Sequence, residues 1–242
     1  MSEWDARQYL KFEEDRTRPA RDLLAAVPLE RVELAVDLGC GPGNSTELLV
    51  GRYPEARVLG VDSSADMLRQ ARARLPRCEF VDGDVASWAP SELVDLLFGN
   101  AVFQWVPDHL RVMARLVEGL REGGVLAVQM PDNTREPSHV LMGEAAARED
   151  LPSPEAYYDL LKPLCRRVEI WHTIYNHVLA GPEAIVEWFR GSALRPFLVG
   201  MDAGAAAEYL ASYTAAVGHA YPRRVDGQVL LRFPRLFVVA VR

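Results

Sequence analysis

The sequence predicts an α/β fold: a doubly wound sheet of seven strands, mostly parallel, with helical insertions covering the edge where such sheets hold ligands. Three observations carry this. Apolar, β-branched runs alternate with amphipathic segments from residue 33 to residue 131. The first run breaks at a turn with glycine at 39, 41 and 43. Beyond Pro131 two further strand-like runs are separated by helical stretches. The 242 residues carry no low-complexity tract or internal repeat, so one core with an insertion, residues 1–242 as a single domain, accommodates them.

Taken in order, residues 18–27 read as a short helix opened by Pro19. "ELAVDL" (33–38) is a continuous apolar run, as a buried parallel strand is, and "NSTELLVGRY" (44–53) opens with good N-cap residues and turns Leu48 and Leu49 to a core. "ARVLGVD" (56–62) is the second strand. "SADMLRQARARL" (64–75) is a helix with Met67, Leu68, Ala71 and Leu75 on one side, and "CEFVDGDV" (78–85) is a third strand breaking at Gly83. "VDLLFGN" (94–100) is the fourth; "PDHLRVMARLVEGL" is a helix stopped by "REGG" (121–124), and "VLAVQMP" (125–131) is the fifth. Five strands alternating with helices imply right-handed crossovers. "RRVEIWHTIYNHVL" (166–179), with alternating aromatics, is a sixth strand. After the mostly helical stretch 181–225 come "GQVLLRF" and then "PRLFVVAVR" (234–242), the latter a seventh strand antiparallel at or near an edge. Segments 132–166 and 180–227 read as covers over the strand ends.

Bulk properties exclude several classes. The net charge is −7 and the arginines are scattered among carboxylates, which argues against nucleic acid as a partner. No run reaches about 18 apolar residues and the acidic start lacks a leader's basic and apolar regions, so no membrane partner and a cytoplasmic location are expected. Cys40, Cys78 and Cys165 are odd in number and far apart, which argues for free thiols and against a zinc site. His172 and His177, five apart on a strand, point to opposite faces, so no metal is expected.

In "VDLGCGPGNST" (36–46), Gly39, Gly41 and Gly43 form G-x-G-x-G; a dinucleotide fingerprint needs its third glycine at position 44, where Asn44 stands. A donor without phosphate needs close backbone approach instead. Asp62 ends the second strand about 20 residues on, where a carboxylate accepts from both ribose hydroxyls.

The glycine stretch, with Asp37 before it, resembles motif I of the class I S-adenosylmethionine-dependent methyltransferases. That resemblance implies a Rossmann-like fold and S-adenosylmethionine as cofactor. It also implies Asp62 and Ser63 at the ribose, Met67 on the adenine face, Asp84 at the adenine amino group and the Val85 backbone at the ring nitrogen. "FGNAVFQWVPDH" is similar to the segment after the fourth strand of these enzymes, which implies Asn100 at the donor's amino-acid end and Gln104 and Trp105 facing the transfer site.

"YLKFEEDRTRPARDLL", "NAVFQWVPDH", "VLAVQMPDN", "EPSHVLM" and "LLRFPRLFVVAVR" resemble the trans-aconitate 2-methyltransferase family along nearly the whole chain, with a shorter stretch around 148–155. The resemblance implies esterification of a small polycarboxylic acid. A carboxylate with a pKa near 4 is already ionised at pH 7 and needs no general base, so no catalytic residue is expected beyond those that orient it. Its other carboxylates need forked donors, for which Arg195, Arg232 and Arg235 are candidates, with Arg135 a further one. His139, Tyr157, Trp171, Tyr175 and Tyr221 lie in the cover segments or strand ends and are candidates to wall the pocket.

Tyr9, Phe12 and Arg16 have helical spacing; residues 1–30 are therefore expected as a helical lid, with Arg16 reaching the donor's carboxylate. Three other readings stay open at this point: a methyltransferase for another small or carrier-bound acid, a non-catalytic S-adenosylmethionine-binding regulator, and a dehydrogenase.

Overall fold

The computed structural model describes residues 12–143, 149–190 and 193–242. The chain runs α1 (Glu13–Ala25), β1 (Leu34–Leu38), α2 (Asn44–Arg52), β2 (Arg57–Asp62), α3 (Ala65–Arg74), β3 (Glu79–Asp82), β4 (Val94–Asn100), a 3-10 turn (Phe103–Trp105), α4 (His109–Glu118) and β5 (Leu120–Pro131). It continues with α5 (Pro137–Val140), α6 (Pro154–Leu161), β6 (Arg167–Leu179), α7 (Pro182–Arg190), α8 (Arg195–Leu198), α9 (Ala203–Ala220) and β7 (Val229–Val241). One seven-stranded sheet has the order β3-β2-β1-β4-β5-β7-β6. β1 to β5 are parallel and β7 lies antiparallel between β5 and β6.

Strand parity sorts the core into two layers. Ala35, Leu96, Phe98, Ala127, Phe237 and Val239 face a first layer with Leu23 of α1, Leu49 of α2, Phe189 of α7 and Val217 of α9. Val36, Leu38, Leu97, Val128 and Val238 face a second with Met113 of α4 and Tyr157 of α6. Central strands buried on both faces explain why β1 and the second half of β5 read as mainly apolar runs. The segment 132–166 is divided between the layers: Met142, just past α5, joins the first and α6 joins the second.

Four boundaries differ from the sequence expectation. The first helix begins at Glu13, not at Pro19, which lies inside it. Distant partners hold its first turn: Arg16 donates to the Trp188 carbonyl (2.7 Å) and Asp15 meets His177 (3.2 Å). At the second helix the N-cap is Gly43, with φ +93°, rather than Asn44 or Ser45. "REGG" does not stop a helix. α4 ends at Glu118 and β5 starts at Leu120, with Gly123 (φ +78°) and Gly124 making a bulge where the β4 register shifts. Finally, "GQVLLRF" and "PRLFVVAVR" form one strand through Pro234. The Pro234 carbonyl accepts from the Asp132 N–H, so its ring nitrogen faces the same side, just past the end of β5, where no ladder bond is lost.

Candidate active site

On the first face the apolar stacking ends, at the C-terminal edge of the sheet, in polar side chains on four neighbouring strands: Asp37, Asn100, Gln129 and Arg235. Each occupies a parity position that its strand otherwise fills with an apolar residue. Gln129 is fully buried and Arg235 nearly so.

The glycine turn leaves β1 beside this row. Gly39 (φ +64°), Gly41 (φ +54°) and Gly43 (φ +93°) are all left-handed, the region where a side chain is strained. Gly39 has a second reason for its identity, because a Cβ there would sit 2.4 Å from Cγ2 of Val102. At Gly41 no atom of the described residues other than its chain neighbours lies within 4 Å of that point, so among them its face is open. The Gly41 N–H donates to Asp62 Oδ2 (2.9 Å) and the Ser64 N–H to Asp62 Oδ1 (2.8 Å). Burial raises the Asp62 pKa against these amides and that of Ser63, and the carboxylate keeps acceptor capacity for a hydroxyl.

Asp37 is completely buried. Its Oδ2 accepts from Ser45 Oγ (2.8 Å) and Thr46 Oγ1 (2.7 Å), whereas Oδ1 is buried with no hydrogen-bond partner among the described residues. Burial pushes this carboxyl up to about 7 against the opposing effect of the two hydroxyls. A buried carboxylate with one bare oxygen fits a cationic donor group, such as the ammonium of an amino-acid moiety. The open Gly41 face and the Asp62 oxygens fit the remainder of S-adenosylmethionine.

Met67 is buried one turn into α3, and Ser63 is exposed beside Asp62. Asp84 is exposed and its Oδ1 accepts from the Ala86 N–H (2.9 Å), while the Val85 side chain is part of the second-layer core. After β4 the chain bends at Ala101, a non-glycine residue at φ +57° whose N–H donates to the Gln129 carbonyl (2.9 Å). Gln104 donates through Nε2 to the Ala101 carbonyl (2.6 Å), with Oε1 buried and without a partner among the described residues; Trp105 beside it is 45% exposed.

The acceptor candidates fall into separate groups. His139 sits edge-on to Phe189 (4.9 Å between centroids), Tyr221 accepts from the Ser138 N–H (3.1 Å), and Arg232 is ion-paired with Glu136, so these gather around α5. Tyr175 lies elsewhere on β6. Its hydroxyl donates to Asp22 Oδ2 (2.6 Å), Arg18 lies over its ring (5.4 Å), and burial raises its pKa. Its neighbour His177 packs on Trp188 (4.5 Å), and burial lowers its pKa. Arg195 is half-buried on α8 with no ion pair among the described residues. Arg135 is committed to Asp150 through two nitrogens (2.9 and 2.7 Å), and Arg16 is held by Trp188. Tyr157 bonds His109 (2.7 Å) in the second layer, and Trp171 stacks on Phe237 (4.9 Å). His172, on the face opposite His177, meets Asp132 (2.8 Å). Tyr9 lies outside the described residues.

Gln129 is the polar residue of this row that sequence reading missed. Its signal was parity, a carboxamide two residues after Ala127 on a face otherwise apolar.

Residues 35–124 match a family model described as a methyltransferase domain. The chain is 59% identical to the trans-aconitate 2-methyltransferase of Rhodopseudomonas palustris (strain BisB18), over the whole of both chains. It is 54% and 53% identical to those of Rhizobium leguminosarum bv. trifolii and Agrobacterium fabrum, over 99% of each. The first alignment spans 256 positions against 242 residues here, so that relative carries residues without a counterpart in this chain. Among solved structures it is similar to the YcgJ protein of Bacillus subtilis (TM-score 0.65, 12% identity, 93% of this chain and 98% of that one). It is also similar to Haemonchus contortus phosphoethanolamine N-methyltransferase 2 in complex with phosphomonomethylethanolamine and S-adenosylhomocysteine (TM-score 0.59, 16% identity, 92% and 52%). At these identities the structural likeness is one of fold.

Proposed function

Because the chain belongs to the trans-aconitate 2-methyltransferase family of S-adenosylmethionine-dependent methyltransferases, we propose that the polar edge of its sheet holds the methyl donor and that the segments above that edge hold the acceptor. S-adenosylmethionine is the methyl donor and trans-aconitate the acceptor. The observation that carries the assignment of residues is the bare Oδ1 of Asp37 near the end of β1, with the open face of Gly41 in the turn that follows.

When bound, S-adenosylmethionine supplies a methyl group made electrophilic by its sulfonium. Asp37 accepts from the ammonium and Gly41 gives the backbone clearance, while Gly39 and Gly43 shape the turn against Val102 and Ala71; Asn100 meets the amino-acid end. Asp62, with Ser63, takes the ribose hydroxyls; Met67 packs on the adenine, and Asp84 and the Val85 main chain read its edge. The acceptor carboxylate arrives ionised, so no residue has to remove a proton from it. The chain contributes alignment and exclusion of water, which matter because opposite charges are neutralised as the ester forms.

For the acceptor we propose Gln104 and Trp105 from the turn after β4, together with His139, Tyr221 and Arg232 around α5, Tyr175 on β6 and Arg195 on α8. Arg232 serves only if a substrate carboxylate takes the place of Glu136. Of the segments 132–166 and 180–227, the stretch around α5 and the helices α7 to α9 act as the cover, while α6 packs on the second face. This is supported by three tyrosines that bind the first segment to the second: Tyr209 donates to the Met142 carbonyl (2.9 Å), Tyr213 donates to the Ser138 carbonyl (2.5 Å), and Tyr221 receives the Ser138 N–H. A lid from residues 1–30 would be anchored on α1, whose Leu23 and Leu24 pack in the first layer; deleting 1–11 is expected to weaken binding of S-adenosylhomocysteine, and unchanged affinity removes those residues from the lid. Free cysteines at 40, 78 and 165 suit a reducing compartment, and we place the enzyme in the cytoplasm. No described helix is long and apolar enough to cross a membrane.

The test is to supply methyl-labelled donor with a panel of di- and tricarboxylic acids. Label in a trans-aconitate ester that mild base releases is the expected result. Label in an amine rejects a carboxylate acceptor, and tight donor binding with no labelled product supports a non-catalytic regulator.

A further inference from the structure

Resting on the placement of Asn100 at the donor's amino-acid end, we propose that Arg235 and Gln129 are positioning residues. Together they fix the Asn100 carboxamide with its NH2 towards the donor's carboxylate.

The argument follows the polarity of three buried groups. A guanidinium has five N–H donors and no acceptor, so whatever meets Arg235 must accept. Arg235 Nη1 reaches Gln129 Oε1 at 3.0 Å. Gln129 is thereby left with its NH2 pointing the other way, and it donates to Asn100 Oδ1. Asn100 must in turn aim Nδ2 away from Gln129. The register of β1 with β4 pairs Leu38 with Gly99, so the next step along both strands sets Asn100 beside Gly39 of the glycine turn.

A free carboxamide is nearly symmetric in shape and flips at little steric cost. Here the flip is blocked. Gln129 is fully buried and Arg235 is 4% exposed, so solvent cannot replace the bond between them, and a flip of the half-buried Asn100 would leave the buried Gln129 NH2 without its acceptor. The Arg235 guanidinium is also packed over the Phe233 ring at 4.8 Å, and the Ala101 N–H on the Gln129 carbonyl pins the bend after Asn100. Adjacent strands then present opposite functions: β1 offers an acceptor, Asp37 Oδ1, and β4 a donor, Asn100 Nδ2. That pair matches the ammonium and carboxylate of one zwitterion.

The experiment is calorimetric titration with S-adenosylhomocysteine and with its analogue lacking the α-carboxylate, alongside thermal unfolding. Gln129→Glu keeps the acceptor for Arg235 and the volume, but removes the NH2 that selects the Asn100 orientation. It is expected to weaken S-adenosylhomocysteine about tenfold or more and the decarboxylated analogue less than about threefold. Asn100→Ala with Gln129→Glu should bind no worse than Asn100→Ala alone, because Gln129 acts through Asn100. Arg235→Lys, which still only donates, should retain affinity, and Arg235→Met should lose it; these two carry the test if Gln129→Glu does not fold. Equal losses for both ligands, additive losses in the double variant, or wild-type affinity in both Gln129→Glu and Arg235→Met overturn the proposal. An Asn100→Ala variant with unchanged affinity instead removes Asn100 from the donor site, and the proposal goes with that reading.

Discussion

The Gly41 N–H donates to Asp62 Oδ2 across 2.9 Å, so the carboxylate that ends β2 holds the middle of the turn that leaves β1. Two strands therefore share one ligand edge, and Gly41 and Gly39 differ in what they do. Gly41→Ala suffers left-handed strain of about 1–2 kcal/mol, which lowers Tm by about 2–8 °C, and its methyl group enters open space. It should fold and yet lose S-adenosylhomocysteine affinity about tenfold or more. Gly39→Ala has the same strain plus a clash with Val102 and should lower Tm further. Equal Tm losses with equal affinities would contradict this division.

Asp37 makes stability depend on pH with a definite sign. Its carboxyl ionises near 7 in the folded chain against an ordinary 3.8, so the folded state holds the proton more tightly. The contribution is present at low pH and is lost as pH rises from about 4 through about 7. Between pH 5.5 and 8.5, unliganded wild type should lose stability relative to Asp37→Asn, while the variant binds S-adenosylhomocysteine more weakly at both. Parallel Tm curves for the two proteins would remove this role of Asp37.

Tyr213→Phe tests the cover. It leaves the buried Ser138 carbonyl without its 2.5 Å donor and should cost about 1–3 kcal/mol of stability. If α5 and α9 close over the acceptor, KM for trans-aconitate rises while donor affinity holds. A rise in both ligands' constants would instead mark a general loosening.

Arg232 and Arg195 are expected to act on the acceptor alone. Arg232→Ala should raise KM for trans-aconitate more than about threefold with S-adenosylhomocysteine affinity unchanged. Glu136→Gln, which frees Arg232 of its ion pair, should lower that KM. Loss below threefold for Arg232→Ala or Arg195→Ala removes that residue as an anchor.

Much of this was legible in the sequence because it is local. Asp37, the glycines and Asp62 lie within one strand-turn-helix-strand unit, where spacing alone fixes which end of the sheet they share. The fourth strand was read at its true bounds, Val94–Asn100, since a run buried on both faces has a clear apolar signature. What escaped depends on distant partners. Arg16 is held by Trp188 and Tyr175 by Asp22, each pair more than 150 residues apart, so their spacing along the chain says nothing of the contact. Gln129 looked like strand because it is strand; its role emerges only when β7 brings Arg235 alongside. Pro234 suggested a break, and only the early end of β5 makes it harmless.

The central claim is that the bare oxygen of Asp37 receives the ammonium of the bound donor. A crystal structure with S-adenosylhomocysteine measures that contact directly. The account predicts the ligand's nitrogen within about 2.7–3.2 Å of Asp37 Oδ1, with its ribose on Asp62. A ligand bound with its amino group elsewhere and Oδ1 left without a donor would contradict it.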